Sequence, residues 1–167
     1  MTPFPIEFQD MPDIRPPDML AANNPQHDWL VREDWRTPAI DGKVVCVRGG
    51  IMGGDVLWHG FFTDGISVDR GLWTLIGWMP FSMPAFCGAL GHDIIYACEF
   101  FPRDVCDQML LQWWIMAGVD PKQARLFERF VGWFGSGVWG NHTPESIAES
   151  RKWCQLVNAG EEPVWAD

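Results

Sequence analysis

The spacing of apolar and polar residues along the chain changes near residue 82. Upstream, between about residues 36 and 70, apolar residues alternate or run together, as in the segments AIDGKVVCVR and DVLWHGFF. The Asp41-Gly42 pair inside the first segment is typical of a tight turn, and the β-branched run that follows it favours a strand. This pattern predicts a small antiparallel sheet over about residues 36–70.

Downstream of residue 82 the apolar residues recur at helical spacing. Ser82, Asp120 and Thr143 each stand where a helix N-cap is expected, and a proline follows within two positions. The pattern predicts three to four helices, at about residues 82–97, 103–117, 121–134 and 144–158. A sheet followed by helices indicates the α+β class, with a single domain over residues 43–167.

Residues 1–42 hold seven of the thirteen prolines. Because proline fixes φ and removes a backbone donor, this segment is predicted to be an extended arm anchored by Trp29 and Trp35. The chain has eleven tryptophans and one tyrosine. Large rings of this kind either fill a small core or form an exposed surface for a partner.

Charge and cysteine content exclude several classes of protein. The formal net charge of −10 argues against nucleic-acid binding, which needs clustered basic residues. The five cysteines contain no CxxC pair, which favours reduced, buried thiols over a disulfide or zinc framework. The N-terminus lacks the pattern of a signal peptide, and no apolar run is long enough to span a bilayer. A location in a cytoplasm is therefore expected.

The candidate site residues lie in the segment GHDIIYACEFFPRDVCD, residues 91–107. His92 and Tyr96 are four residues apart and share one face of a helix. If the first two helices fold back on each other near residue 100, His92 lies eight residues before that point and Asp107 seven after it. At about 1.5 Å of rise per residue, the two side chains lie at nearly the same height. A His92–Asp107 contact across the hairpin is predicted.

Two interpretations of this pair stay open. In one, the pair is a polar contact that satisfies buried groups between two helices, and Arg103, one turn before Asp107, shares the carboxylate. In the other, His92 is a general base that Asp107 orients, with Tyr96 as a third member of the site.

Asp93 points away from His92 and has only small neighbours on its face of the helix. With Asp64 and loop carbonyls it is a candidate ligand for Ca²⁺ or Mg²⁺, which bind oxygen atoms. Asp64 can equally be the first residue of a turn. Two further alternatives are a metal-dependent phosphohydrolase that uses His59, and a triad of Ser67, His92 and Asp107, although no GxSxG segment surrounds the serine.

Several short motifs follow one another in a fixed order along the chain. Their residues are Gly60, Phe61, Thr63, Asp64, Ser67, Arg70, His92, Asp93, Tyr96, Arg103, Asp107, Phe134 and Gly135. Over roughly residues 55–137 these motifs resemble a phage and prophage family known as domain of unknown function 1353, although Asp69 stands where the family usually has proline. The resemblance implies a phage gene and a virion component of the head–tail or tail region, found in the host cytoplasm or the particle. The implied partners are other phage proteins or a second copy, through the arm and exposed tryptophans.

The His-Asp-x-x-Tyr segment is also loosely similar to that of calcium-dependent phospholipases. This similarity implies a hydrolase in which His92 activates water and Asp107 orients His92. It further implies that Asp93 holds Ca²⁺ and that Tyr96 supports Asp107. Ester hydrolysis is thus the alternative function, and only under this alternative is membrane lipid an expected partner.

Overall fold

The computed structural model of the chain describes residues 14–15, 29–52, 58–63 and 83–165. Over these ranges the fold combines short strands with four helices, which confirms the predicted α+β class. The helices are α1 (Met83–Cys98), α2 (Arg103–Met116), α3 (Pro121–Gly140) and α4 (Pro144–Trp153). The strands are β1 (Ile14–Arg15), β2 (Trp29–Val31), β3 (Trp35–Arg36), β4 (Lys43–Val47), β5 (Ile51–Met52), β6 (Trp58–His59), β7 (Phe62–Thr63) and β8 (Cys154–Asn158).

The described strands form three small antiparallel sheets, in the orders β1-β2-β7, β3-β4-β8 and β5-β6. The longest ladder joins β4 to β8, from Lys43 opposite Asn158 to Val47 opposite Cys154. The predicted range of 36–70 for the sheet is too narrow, because strands begin upstream of it and the last one comes from the far end of the chain.

The fourth helix was predicted over residues 144–158, and the last third of that range is wrong. The helix ends at Trp153, and residues 154–158 are strand β8. None of the residues of α4 is buried, so packing does not favour a longer helix. Residues 154–158 instead gain the backbone hydrogen bonds of the β4 ladder, and Cys154 is buried there.

The third helix continues past its predicted end at residue 134 to Gly140. Gly135 marked the predicted end of this helix, yet it lies inside the helix. Its start is confirmed, since the Asp120 side chain accepts hydrogen bonds from the first backbone N–H groups of the helix. Helices α1 and α2 match their predicted ranges to within one residue at each end.

The core lies between α1, α2 and the β3-β4-β8 sheet, and a smaller apolar cluster lies between α2 and α3. Trp113 and Trp114 of α2 are almost fully buried. Trp114 packs so closely on α1 that a Cβ at Gly88 would lie 2.5 Å from its ring. These tryptophans fill the core, as the first interpretation of the tryptophan content expects, whereas Trp133 on α3 is 68% exposed.

The predicted arm is described only at residues 14–15 and 29–42. In the second range Leu30, Val31 and Trp35 are buried in the core, so this part of the arm packs onto the rest of the fold. The side chain of Trp29 lies outside the described residues. Among the described helices, none combines the length and the apolar character that crossing a bilayer requires.

A tight connection brings α1 and α2 side by side. Glu99 adopts a left-handed conformation at φ 46° directly after α1. The backbone N–H of Glu99 donates to Tyr96 O, and that of Phe100 donates to Ile95 O, at 3.2 and 3.3 Å. These two bonds form a Schellman motif that ends the helix and reverses the chain. Helix α2 then starts at Arg103, which fixes the relative height of the two helices.

Candidate functional site

His92 and Asp107 meet between α1 and α2. The distance from His92 Nε2 to Asp107 Oδ1 is 3.0 Å, and the two side chains are 10% and 8% exposed. The contact predicted from the hairpin geometry is therefore confirmed. A buried pair at this distance holds the imidazole ring in one orientation.

The geometry also selects the tautomer of His92. A carboxylate only accepts hydrogen bonds, so Nε2 carries the proton and donates to Asp107. The lone pair of the neutral ring is then on Nδ1. Among the described residues, none forms a hydrogen bond with Nδ1. Nδ1 is therefore the atom of this pair that can accept a proton from a reacting group.

Arg103 lies on the other side of Asp107. Its Nε is 3.8 Å from Asp107 Oδ2, which is an electrostatic contact and too long for a hydrogen bond. Its terminal nitrogen donates to the carbonyl of Gly132 on α3. Asp107 is thus shared between His92 and Arg103, and the Arg103 contact that the sequence offered as an alternative exists beside the His92 contact.

Tyr96 joins the site to α3. Its hydroxyl donates to Gly135 O at 2.7 Å. The centroid of its ring lies 4.8 Å from the ring centroid of His92 and 4.7 Å from that of Trp139. Burial raises the pKa of Tyr96, so the phenol stays protonated and remains a donor. The hydroxyl therefore donates its hydrogen bond to the Gly135 carbonyl. The phospholipase similarity implied that Tyr96 supports Asp107, and this expectation is wrong.

Asp93 is half-buried and accepts a hydrogen bond from the Thr63 hydroxyl of β7. Asp64, its predicted partner for a cation, lies outside the described residues, as do Ser67 and Arg70. Within the described ranges, no three His, Cys, Asp or Glu side chains cluster in a way that could hold a metal ion. The described part of the site therefore supplies a single carboxylate, far short of the six to eight oxygen atoms that Ca²⁺ takes.

Sequence reasoning missed a second histidine–carboxylate pair. His142 Nδ1 lies 3.0 Å from Glu99 Oε1, and the His142 ring is close to those of Trp139 and Tyr96. No short motif in the sequence connects these positions, because each comes from the end of a different element. The role of Thr63 was also missed, although it stands in the quoted family motif.

The metal site with His59 is not assembled among the described residues, and the Ser67 member of the triad lies outside them. His59 lies on β6 with an exposed side chain, so the described ranges do not place it in a metal cluster with His92 and Asp93. The five cysteines are free and buried. Burial raises the pKa of Cys87 to about 11 and, together with the nearby Asp107 carboxylate, raises that of Cys106 to about 12. These two thiols are protonated near neutral pH and are poor nucleophiles.

The thiol pKa values predict a loss of stability at alkaline pH. An ordinary thiol titrates near pH 8.5, so the unfolded chain releases these protons at a lower pH than the folded chain does. The stabilisation is therefore complete below about pH 8.5 and is lost as the pH rises to about 11 or 12. We expect the urea midpoint to fall across this range, and Cys106→Ala to make the fall less steep than in the wild type. An unchanged pH dependence in Cys106→Ala would contradict the assignment.

Comparisons with known proteins found no relative of this chain. A scan against models of protein families, a search of curated proteins and a search of solved structures each find no match.

Proposed function

We propose that the protein is a hydrolase of ester bonds in which His92 is the general base. The observation that carries this proposal is the 3.0 Å contact from His92 Nε2 to Asp107, which leaves Nδ1 as the acceptor on a ring of fixed orientation. Nδ1 takes a proton from water as the water oxygen attacks the ester carbonyl. The proton then passes to the leaving alkoxide, so that an acid and an alcohol are formed.

Asp107 has a positioning role in this scheme. It holds the Nε2–H tautomer and stabilises the imidazolium that forms during the reaction. The positive charge of Arg103 lies near the second oxygen of Asp107, with Nε 3.8 Å from Oδ2.

The test compares His92→Gln with His142→Gln on a panel of nitrophenyl esters and phospholipid vesicles. His142 is the matched control, since it is also paired with a carboxylate at 3.0 Å but stands outside the proposed chemistry. We expect His92→Gln to lower the rate by about 100-fold or more, and His142→Gln to leave it nearly unchanged. Circular dichroism checks that both variants are folded. The proposal fails if folded His92→Gln hydrolyses these substrates at the wild-type rate. It also fails if the wild-type protein hydrolyses none of the panel.

A second candidate is a component of a phage particle, and a separate observation favours it. The motif residues shared with domain of unknown function 1353 are distant in sequence but converge on one place. Thr63 bonds to Asp93, His92 to Asp107, and Tyr96 to Gly135. Such convergence is what a shared structural unit requires of separate motifs, and it supports the resemblance and the phage origin that it implies.

Purified virions test this candidate. We expect the protein at a fixed copy number per particle after gradient purification, together with other structural proteins. Its absence from particles of a phage that encodes it would remove this candidate and leave the hydrolase proposal intact. A virion protein can also carry an enzyme site, so the two candidates are compatible.

A further inference from the structure

Two of the buried cysteines meet in the core, although they are far apart in the chain. Cys98 is the last residue of α1, and Cys154 is the first residue of β8. Their exposed fractions are 0% and 1%, and both belong to the main core cluster. The two thiols form a hydrogen bond with each other. Two free thiols in direct contact are close enough for a disulfide to join them after a rotation of their side chains.

Backbone contacts hold the end of α1 against the start of β8. Arg151, near the end of α4, donates through its Nε to Cys98 O at 2.7 Å. The backbone N–H of Arg48 donates to Trp153 O at 2.7 Å, directly beside Cys154. These bonds fix the main chain on both sides of the thiol pair. The contact between the two thiols therefore follows from where α1 and β8 lie, and it does not depend on the side-chain rotamers alone.

The strand register decides which strand cysteine can take part. Cys154 lies opposite Val47 in the ladder of β4 and β8, so the two side chains are on one face of the sheet. Val47 is fully buried in the same core cluster as Cys98. Cys46 is the neighbour of Val47 along β4, so its side chain points to the opposite face. Of the two strand cysteines, only Cys154 faces Cys98.

Burial protects the pair as long as β8 stays on β4. Burial and the neighbouring Cys98 thiol raise the pKa of Cys154, so this thiol stays protonated in the closed fold. Strand β8 is at the edge of its sheet, and Cys154 is its only buried residue. None of the residues of α4, which precedes it, is buried. Because little apolar surface holds this segment, it can open at a lower free energy than the whole fold.

We propose that Cys98 and Cys154 form a redox-sensitive lock, in which a disulfide joins the end of α1 to β8. The oxidant is a low-molecular-weight disulfide such as oxidised glutathione. When the segment opens, the Cys154 thiol loses its proton, and the thiolate attacks one glutathione sulfur and releases the first glutathione. The Cys98 thiol then loses its proton, and its thiolate attacks Cys154 Sγ and releases the second glutathione. The two protein thiols lose two electrons and two protons, and oxidised glutathione gains them as two thiols.

The lock changes the stability of the chain. The disulfide closes a loop of about 55 residues that contains α2, α3 and α4, which restricts the unfolded chain. It also keeps β8 next to β4 when the segment opens. Oxidation therefore stabilises the fold, and reduction returns it to the ordinary stability. His92 and Asp107 take no part in this chemistry, so the lock does not rest on the proposed hydrolase.

Oxidation of the full chain tests the proposal. The protein is incubated at about pH 8 with oxidised glutathione, because thiolates are more abundant there. Free thiols are then blocked with iodoacetamide, and proteolytic peptides are mapped by mass spectrometry. We expect a Cys98–Cys154 disulfide as the main product. The melting midpoint should rise by roughly 10 °C, and dithiothreitol should reverse the rise.

Matched cysteine variants separate this pair from the other thiols. Cys46→Ala and Cys87→Ala each remove a buried thiol and leave the pair intact. Both should form the disulfide, and the melting midpoint of each should rise above that of its own reduced form. Cys98→Ala should show neither effect. If Cys98→Ala does not fold, the peptide map of the wild-type protein still decides the pairing.

Three results would overturn the proposal. One is a folded protein in which Cys98 and Cys154 stay reduced, or carry only glutathione, after prolonged oxidation. Another is a different main pairing, such as Cys46 with Cys154. The third is a Cys98–Cys154 disulfide that does not raise the melting midpoint, because the bond would then strain the fold instead of locking it.

Discussion

Replacement of Asp107 by alanine is expected to lower the free energy of unfolding by about 3–5 kcal/mol. The carboxylate is 8% exposed and is the acceptor for His92 Nε2 at 3.0 Å. Without it, a buried N–H loses its partner and the Arg103 guanidinium loses the charge at 3.8 Å. Urea denaturation of both proteins measures the difference. The matched control is Asp104→Ala, an exposed carboxylate in the first turn of the same helix, which should cost about 0.5 kcal/mol.

A double-mutant cycle separates the pair from its surroundings. With His92→Ala in the background, Asp107→Ala should cost less, because the imidazole that needed an acceptor is gone. We expect a coupling energy of about 1–3 kcal/mol between the two positions. Additive effects would mean that the 3.0 Å contact contributes nothing to stability. The cycle measures stability alone, so it is independent of whether the pair is catalytic.

The same change, glycine to alanine, is expected to have opposite effects at two positions of α3. At Gly135 a Cβ would lie 2.6 Å from the Tyr96 hydroxyl and 3.8 Å from Arg103 Nε. The tyrosine ring is held between His92 and Trp139 and has little room to retreat. We expect Gly135→Ala to cost about 2 kcal/mol after the gain in helix propensity. At Gly137 the space is open, and Gly137→Ala should stabilise by about 0.5–1 kcal/mol.

Tyr96→Phe identifies the source of the Gly135 effect. Removing the hydroxyl deletes the bond to Gly135 O and should by itself cost about 1 kcal/mol. In the Tyr96→Phe background the added methyl group at residue 135 meets less crowding, so its cost should fall by at least half. Thermal denaturation of the four proteins gives the comparison. A cost at residue 135 that is the same in both backgrounds would place the strain elsewhere in the helix.

The parts of the fold that sequence reasoning reached are those set by local chemistry. Asp120 followed by Pro121 is a helix start that needs no tertiary information, and the structure has it. The His92–Asp107 contact followed from counting residues on either side of a short connection. Both inferences use regular helix geometry, which a sequence with clear caps determines well.

The errors arose where distant parts of the chain decide the outcome. Gly135 signals a helix end, but it is retained inside α3 because Tyr96 leaves no room for a side chain there. Residues 154–158 continue a helical pattern in the sequence. They form a strand because they can make backbone hydrogen bonds with β4. The acceptors at Gly132 and Gly135 are backbone carbonyls, which residue identity does not reveal. Tertiary context overrides local preference at each of these positions.

The pairing of β4 with β8 has a consequence for how the protein is made. More than a hundred residues separate the two strands, so β4 lacks one neighbour until residue 158 has left the ribosome. Helices α1, α2 and α3 contact their sequence neighbours and can assemble before then. A nascent chain stalled before residue 154 would thus present the apolar strand VVCV with an open edge, a site for aggregation that chaperones must cover.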